Sequence, residues 1–273
     1  PLMVKGLKSA DVQFGERLGR LYACNTLGAM AGAMICEMLL ITQFGLLGSG
    51  FVAGGINLLI GLFAFAVGKA STTDRSSATQ SQAEASPLTT RSFRILFGAM
   101  LSGGILLALE VVWFRYLLLF QFGTSQVFAV MLAVVLSGIA LGGILAARWL
   151  RSHKPSTAIP LLAVTGGVLT LLSYVLPSLA VVAFRLSFKL DHSGLTTLMQ
   201  SIIVMLPVST ISGAMFTMMG QALHEENSSE TKSAGYLTLF NTTGAMLGAL
   251  AGGFVFLPHL GMQNSFVILS VSY

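Results

Sequence analysis

Charged residues are scarce in this chain of 273 residues. Its 15 Lys and Arg and 10 Asp and Glu make up 9% of the sequence, whereas a soluble domain carries about a quarter. Hydrophobic residues make up 54%, and a soluble chain of this length needs more polar residues to cover its core. The composition excludes a soluble globular enzyme, a disordered protein and, despite a net charge of +5, a typical nucleic-acid-binding protein.

Cysteine, metal-binding and nucleophile patterns are also sparse. Cys24 and Cys36 share one apolar run, and on a helix they lie roughly 18 Å apart, which is too far for a disulfide. The four histidines are isolated and show no metal-ligand spacing. No Ser, His and Asp set and no Cys and His set is placed for catalysis. We therefore predict no catalytic residue, metal site or cofactor in this chain.

Long apolar runs are what the chain does contain. Seven of them reach the roughly 20 residues that a helix needs to cross a bilayer, and an eighth opens at residue 264. The sequence therefore predicts an all-α, polytopic membrane helical bundle of about seven to eight transmembrane helices. The complete runs occupy 19–43, 49–68, 94–120, 126–148, 157–182, 195–221 and 234–257.

Polar stretches divide the chain into five predicted regions. Residues 1–69 hold the end of a first membrane repeat and two transmembrane helices, and 70–92, rich in Ser, Thr, Ala and Gln, predict a flexible cytoplasmic linker. Residues 93–221 predict four transmembrane helices, and 222–233 a polar cytoplasmic connector. Residues 234–273 carry a second copy of the repeat block, which we expect to be truncated.

The distribution of basic residues predicts the orientation. Successive connectors must lie on alternate sides of the membrane. With that assignment, every Lys and Arg except Arg115, Arg185 and Lys189 lies on the same side as the N-terminus. Because basic residues concentrate in cytoplasmic connectors, we expect the N-terminal end of this segment to be cytoplasmic.

A shift of 216 residues aligns the beginning of the chain with its end. Residues 25–33 match residues 241–249 at seven of nine positions, and six predicted helices separate the copies, which indicates a parallel repeat. Each copy carries a Gly-x-x-x-Gly pair, which lets helix backbones approach closely in lipid. We expect the asparagines to bond across helices or to cap a broken helix, with lining of a transport pathway as the alternative. The helix-packing and repeat residues are Asn25, Gly28, Gly32, Asn241, Gly244, Gly248, Gly138 and Gly142.

Two carboxylates within the predicted membrane region are the best candidates for function, because lipid makes a buried charge costly. Glu37 and Glu110 both fall in the outer third of their predicted helices. There a carboxylate can take up a proton or bind a cationic amine; alternatively, Glu110 is a polar contact between helices and Glu37 faces a partner subunit. Trp113 and Arg115 complete the candidate substrate or proton site, or else belong to an aromatic belt with a snorkelling cation.

Four segments carry a resemblance to a known family. They are Leu-Tyr-Ala-Cys-Asn-Thr-Leu-Gly-Ala at 21–29, Glu-Val-Val-Trp-Phe-Arg at 110–115, Phe-Gly-Thr-Ser at 122–125 and Gly-Ile-Ala-Leu-Gly at 138–142. The chain resembles the membrane region of bacterial spermidine-synthase-like proteins, which are described as fusions of a major-facilitator-like part and a spermidine synthase.

The resemblance implies a transporter-like domain in the bacterial inner membrane that binds or moves a small cationic or amphipathic metabolite such as a polyamine. Two alternatives stay open. One is a non-catalytic scaffold or accessory subunit of a larger membrane complex. The other is the membrane anchor of an aminopropyltransferase-like enzyme whose soluble domain is absent from this chain. The expected partners are the lipid bilayer and other membrane-complex subunits, and no nucleic acid.

Overall fold

The described part of the protein is helical throughout. The computed structural model describes residues 14–70, 89–119, 125–188, 194–227 and 229–273, and these are 95% helical with no strand. The all-α prediction is therefore confirmed for the described residues. In chain order the helices are α1 Phe14–Ile35, α2 Ile41–Ala70, α3 Thr90–Leu117, α4 Ser125–Trp149, α5 Pro155–Phe188, α6 Gly194–Asn227, α7 Glu230–Ala251 and α8 Gly261–Ser272.

Six helical stretches among the described residues are long and apolar enough to cross a membrane. This agrees with the prediction of a multi-pass membrane protein. Four of the stretches lie in α3, α4, α5 and α6, whereas Phe14–Ala66 and Glu230–Ser272 are much longer, at 53 and 43 residues. A straight helix of the first length would reach about 80 Å, far more than the roughly 30 Å of a hydrocarbon core.

Both long stretches are interrupted in the same way. A π-helical turn, Cys36–Leu40, follows α1, and another, Gly252–Leu260, follows α7. Next comes a glycine with positive φ, Gly45 at 65° and Gly261 at 72°, each with ψ near 180°. Only glycine adopts this conformation readily, so each helix can change direction there. In the second stretch the helix end, the first residue of the π-helical segment and the glycine all lie 216 residues after those of the first, although the second π-helical segment has nine residues and the first five.

Helix α6 lies at the centre of the bundle. It packs against α1, α3, α4, α5 and α7, and 67% of its most apolar window is buried, more than in any other of the six stretches. Glycines bring α4 and α6 into backbone contact: a β-carbon at Gly142 would collide with the Thr210 carbonyl oxygen, and one at Gly213 with that of Ile139. This packing is typical of membrane helices, where small residues let backbones approach.

Ion pairs concentrate at one face of the bundle, where α1, α3 and α7 begin and α4 and α6 end. Because α1 and α7 both begin there, these two helices run in the same direction. The hydrogen bond and charge of Glu16 raise the pKa of the exposed Arg151 guanidinium, which follows α4. The pairs that join different elements are Arg17–Glu230 at 2.5 Å, Arg151–Glu16 at 2.5 Å and Arg91–Glu226 at 2.8 Å. We call this end of the bundle the ion-paired face.

Several helices extend beyond the predicted apolar runs. Most of the predicted connector 222–233 is helical, because side-chain pairs such as Gln221 Nε2 to Glu225 Oε1, at 3.2 Å, support further turns of α6. At the end of the predicted linker 70–92, Thr89 caps α3 by accepting a hydrogen bond from a first-turn N–H group. The greater part of that linker lies outside the described residues.

Candidate functional site

Glu37 lies on the π-helical turn that follows α1, about 34 Å along the helix from Phe14 and so far from the ion-paired face. Its half-buried carboxylate accepts a hydrogen bond from Ser125 Oγ at 2.7 Å. Ser125 is the first described residue of α4, so this hydrogen bond joins the π-helical turn to that part of α4. Single π-helical turns occur frequently at functional sites.

A cavity of about 360 Å³ opens beside Glu37, between the end of α1, α4 and α6. We call it the Glu37 cavity. Met30, Met34 and Met38 line it, and their four-residue spacing places the thioethers on one helix face. Ser137 Oγ lies 2.9 Å from the Met30 sulfur, to which it donates. The other lining residues are Gln126, Ala129, Val130, Ala133, Val134 and Leu198.

This lining suits a cation that also has an apolar part. Among the described residues that line the Glu37 cavity, Glu37 alone carries a charge, and Gln126 adds an amide. The volume lies within the range of about 300–1,000 Å³ that is usual for small-molecule pockets. Methionine side chains are flexible and polarisable, so they adapt to ligands of different shape. We therefore expect the cavity to select a ligand by its charge more strictly than by its shape.

The other predicted site residues do not join Glu37. Glu110 is half-buried on α3, does not line the Glu37 cavity, and forms no side-chain hydrogen bond or ion pair with the described residues. Trp113 is fully buried, and its indole N–H donates to Ser173 Oγ of α5 at 3.3 Å. Arg115 is exposed. Of the four candidates, Glu37 thus lies beside a cavity, whereas Glu110, Trp113 and Arg115 lie on α3 and do not line that cavity.

The predicted packing residues fall into two groups. In α7, a β-carbon at Gly244 would collide with the Met100 carbonyl oxygen and one at Gly248 with the Gly104 carbonyl oxygen, so α7 lies directly against α3. In α1, by contrast, Gly28 and Gly32 have no neighbouring atom within 4 Å of the β-carbon position among the described residues. The residues that lie against another helix are Asn241, Gly244, Gly248, Gly138 and Gly142; Asn25 is exposed.

Sequence reasoning missed Ser125 and the methionines as partners of Glu37. The methionines had a visible signal, because Met30, Met34 and Met38 recur every four residues on the helix that leads to the carboxylate. Ser125 had none, since its contact depends on how α4 approaches α1 in three dimensions.

The described residues contain no group of three or more His, Cys, Asp or Glu side chains that could hold a metal ion. Comparisons of the chain with protein-family models, curated proteins and solved structures found no match.

Proposed function

We propose that the chain is a transporter-like membrane domain that binds or moves a small cationic or amphipathic metabolite, with polyamines as the first compounds to test. The Glu37 cavity carries this proposal, because it combines one carboxylate with apolar, adaptable walls. A hydrogen bond between a carboxylate and a cation is charge-assisted and about twice as strong as one between neutral groups. The resemblance to the membrane region of spermidine-synthase-like proteins, with a bacterial inner-membrane location and a cytoplasmic N-terminal end, belongs to the same proposal.

The proposal includes seven to eight membrane crossings and a parallel repeat of 216 residues. Two features support it: Phe14–Ala66 and Glu230–Ser272 are each too long for one crossing, and each changes direction at a glycine with positive φ. Two crossings from the first stretch, four from α3 to α6 and one from α7 with its π-helical segment make seven. Helix α8, with 12 residues or about 18 Å, contributes part of an eighth. The equal spacing of their interruptions and the parallel course of α1 and α7 support the repeat.

Spermidine binding and uptake by the purified, vesicle-reconstituted protein test the function. We expect Glu37→Gln to weaken binding about 10- to 100-fold, because a hydrogen bond to a charged group contributes roughly 1.5–3 kcal/mol. The matched control is Glu225→Gln, which makes the same change at an exposed carboxylate near the ion-paired face. This control is expected to bind like the unmodified protein.

Two outcomes would contradict the proposal. One is the absence of saturable binding of spermidine or another organic cation to the unmodified protein; the other is unchanged affinity in Glu37→Gln. Glu110→Gln is the third variant, and its expected effect on binding is smaller because Glu110 lies outside the Glu37 cavity. If Glu110→Gln abolishes transport while Glu37→Gln transports normally, the carboxylate that binds the substrate is Glu110 on α3.

A scaffold role is a second candidate, and the exposed surface of α1 and α2 favours it. Almost every side chain from Gly50 to Ala66 is exposed, and Gly28 and Gly32 have no neighbour among the described residues. Such small-residue faces are suited to packing against other membrane helices. Purification in a mild detergent tests this role: a stable, stoichiometric membrane partner supports a scaffold, whereas a monodisperse particle without a partner contradicts it.

A further inference from the structure

A second cavity, of about 610 Å³, lies at the ion-paired face between α3, α5 and α6. It shares no lining residue with the Glu37 cavity. Its polar rim is formed by the first turns of α3, including Arg91 and Arg94, and its floor by the apolar residues that follow on α3 together with Ile159 and Met219. We call it the arginine crevice.

Among the described residues, the acidic side chains leave part of the positive charge at the rim of the arginine crevice unpaired. Arg91 pairs with Glu226 at 2.8 Å, but Arg94 is exposed and forms no ion pair with the described acidic residues. The start of α3 lies at the same rim, and a helix N-terminus adds a partial positive charge. An arginine guanidinium matches the geometry of a phosphate group, with which it forms paired hydrogen bonds.

The floor of the arginine crevice is apolar. From Thr90 to Gly98 the lining follows α3 for about 12 Å, and Ile95, Ile159 and Met219 complete it. Gly98 has no side chain, and the Met219 methyl group of α6 lies 3.4 Å from its β-carbon position, so Met219 closes the crevice on the side of α6. A soluble phosphate compound would use the rim alone, whereas a lipid would use the rim and the floor.

We infer that the arginine crevice binds one anionic phospholipid. The phosphate is held by Arg94, with Arg91 beside it, and an acyl chain lies along α3 as far as Gly98. Basic pockets between membrane helices commonly bind anionic head groups in this way. The inference is independent of the Glu37 cavity and of any transported compound.

Binding of short-chain phosphatidylglycerol to the purified full chain in detergent tests the inference, with phosphatidylcholine of the same acyl length as the neutral comparison. We expect Arg94→Gln to weaken phosphatidylglycerol binding about tenfold, as loss of a charge-assisted hydrogen bond implies. Arg148→Gln is the matched control, since Arg148 is exposed at the end of α4 near the ion-paired face and has no ion-pair partner among the described residues. We expect its affinity to stay within twofold of the unmodified protein.

Gly98→Leu tests the floor separately. The added side chain narrows the apolar part, so phosphatidylglycerol binding is expected to weaken, and a melting temperature close to that of the unmodified protein shows that the bundle is intact. An equal loss of phosphatidylglycerol affinity in Arg94→Gln and Arg148→Gln would overturn the inference, because it would show general electrostatic attraction rather than a site. Phosphatidylcholine binding as tight as that of phosphatidylglycerol would also overturn it. Competition by glycerol 3-phosphate at similar concentrations would overturn it in favour of a soluble phosphate ligand.

Discussion

Helices α1 and α7 carry nearly the same nine-residue sequence but use it differently. In α7, Gly244 and Gly248 lie against the backbone of α3. In α1, the corresponding Gly28 and Gly32 face no described residue, and the helix packs instead through other positions, such as Tyr22, whose ring stacks on Phe216 of α6 at 4.4 Å. A Gly-x-x-x-Gly pair therefore permits a close helix contact but does not ensure one.

The interruptions that follow the two helices are, by contrast, alike. Both α1 and α7 continue into a π-helical turn and reach a glycine with positive φ at the same spacing. Local backbone geometry thus follows the repeated sequence, whereas contact between helices depends on which helix lies nearby. Substitutions at equivalent positions of the two stretches distinguish the contribution of helix contact from that of backbone geometry.

Leucine substitutions at the equivalent glycines test the difference in packing. Gly248→Leu is expected to destabilise the protein by roughly 3 kcal/mol or more, because the new side chain meets the Gly104 backbone, which has no flexible end to move aside. Gly32→Leu places the same side chain in open space and is expected to change stability by less than about 0.5 kcal/mol. Thermal unfolding in detergent, followed by tryptophan fluorescence, measures both. Equal destabilisation would show that a helix covers Gly32.

Alanine substitutions at Gly45 and Gly261 test the similarity of the interruptions. Neither glycine has a neighbour within 4 Å of its β-carbon position among the described residues, so each substitution acts through backbone strain alone. We expect each to cost about 1–3 kcal/mol, and the two costs to agree closely. Gly54→Ala, inside α2 and also without a neighbour, is the control and is expected to be neutral or slightly stabilising. A cost at Gly261 alone would contradict the equivalence of the two bends.

The helical class and most membrane segments were predictable because length and hydrophobicity decide them. Apolar runs such as 94–120 and 126–148 correspond to α3 and α4. The bends at Gly45 and Gly261 were harder to foresee, since a glycine in an apolar run is also compatible with a straight helix. The sequence repeat pairs these two glycines, but it does not specify φ.

The candidate site was predictable only in part. Glu37 was recognisable because a charged carboxylate in a membrane-spanning run costs free energy and therefore indicates a functional role. The Glu37 cavity was not recognisable, because it exists only where α4 and α6 pass the end of α1. Trp113 shows the converse: its neighbours in sequence indicated a membrane boundary, whereas its side chain lies in the core against Ser173.

An ion pair links α1 directly to α7. Arg17 and Glu230 form an ion pair whose side chains are only 12% and 18% exposed. A double-mutant cycle with Arg17→Gln and Glu230→Gln isolates this pair from the other contacts of Arg17. We expect a coupling of about 1 kcal/mol, because partial burial reduces screening by solvent and salt.

The pair formed by Arg91 and Glu226 provides the comparison for that cycle. Its arginine side chain is 63% exposed, so the same cycle there is expected to give less than about 0.5 kcal/mol and to lose that coupling at high salt. A coupling of Arg17 with Glu230 no larger than this would mean that α1 and α7 are held in place by their separate contacts, which are mainly with α4 for α1 and with α3 for α7. The repeated helices would then be independent in stability, although they are similar in sequence and in backbone geometry.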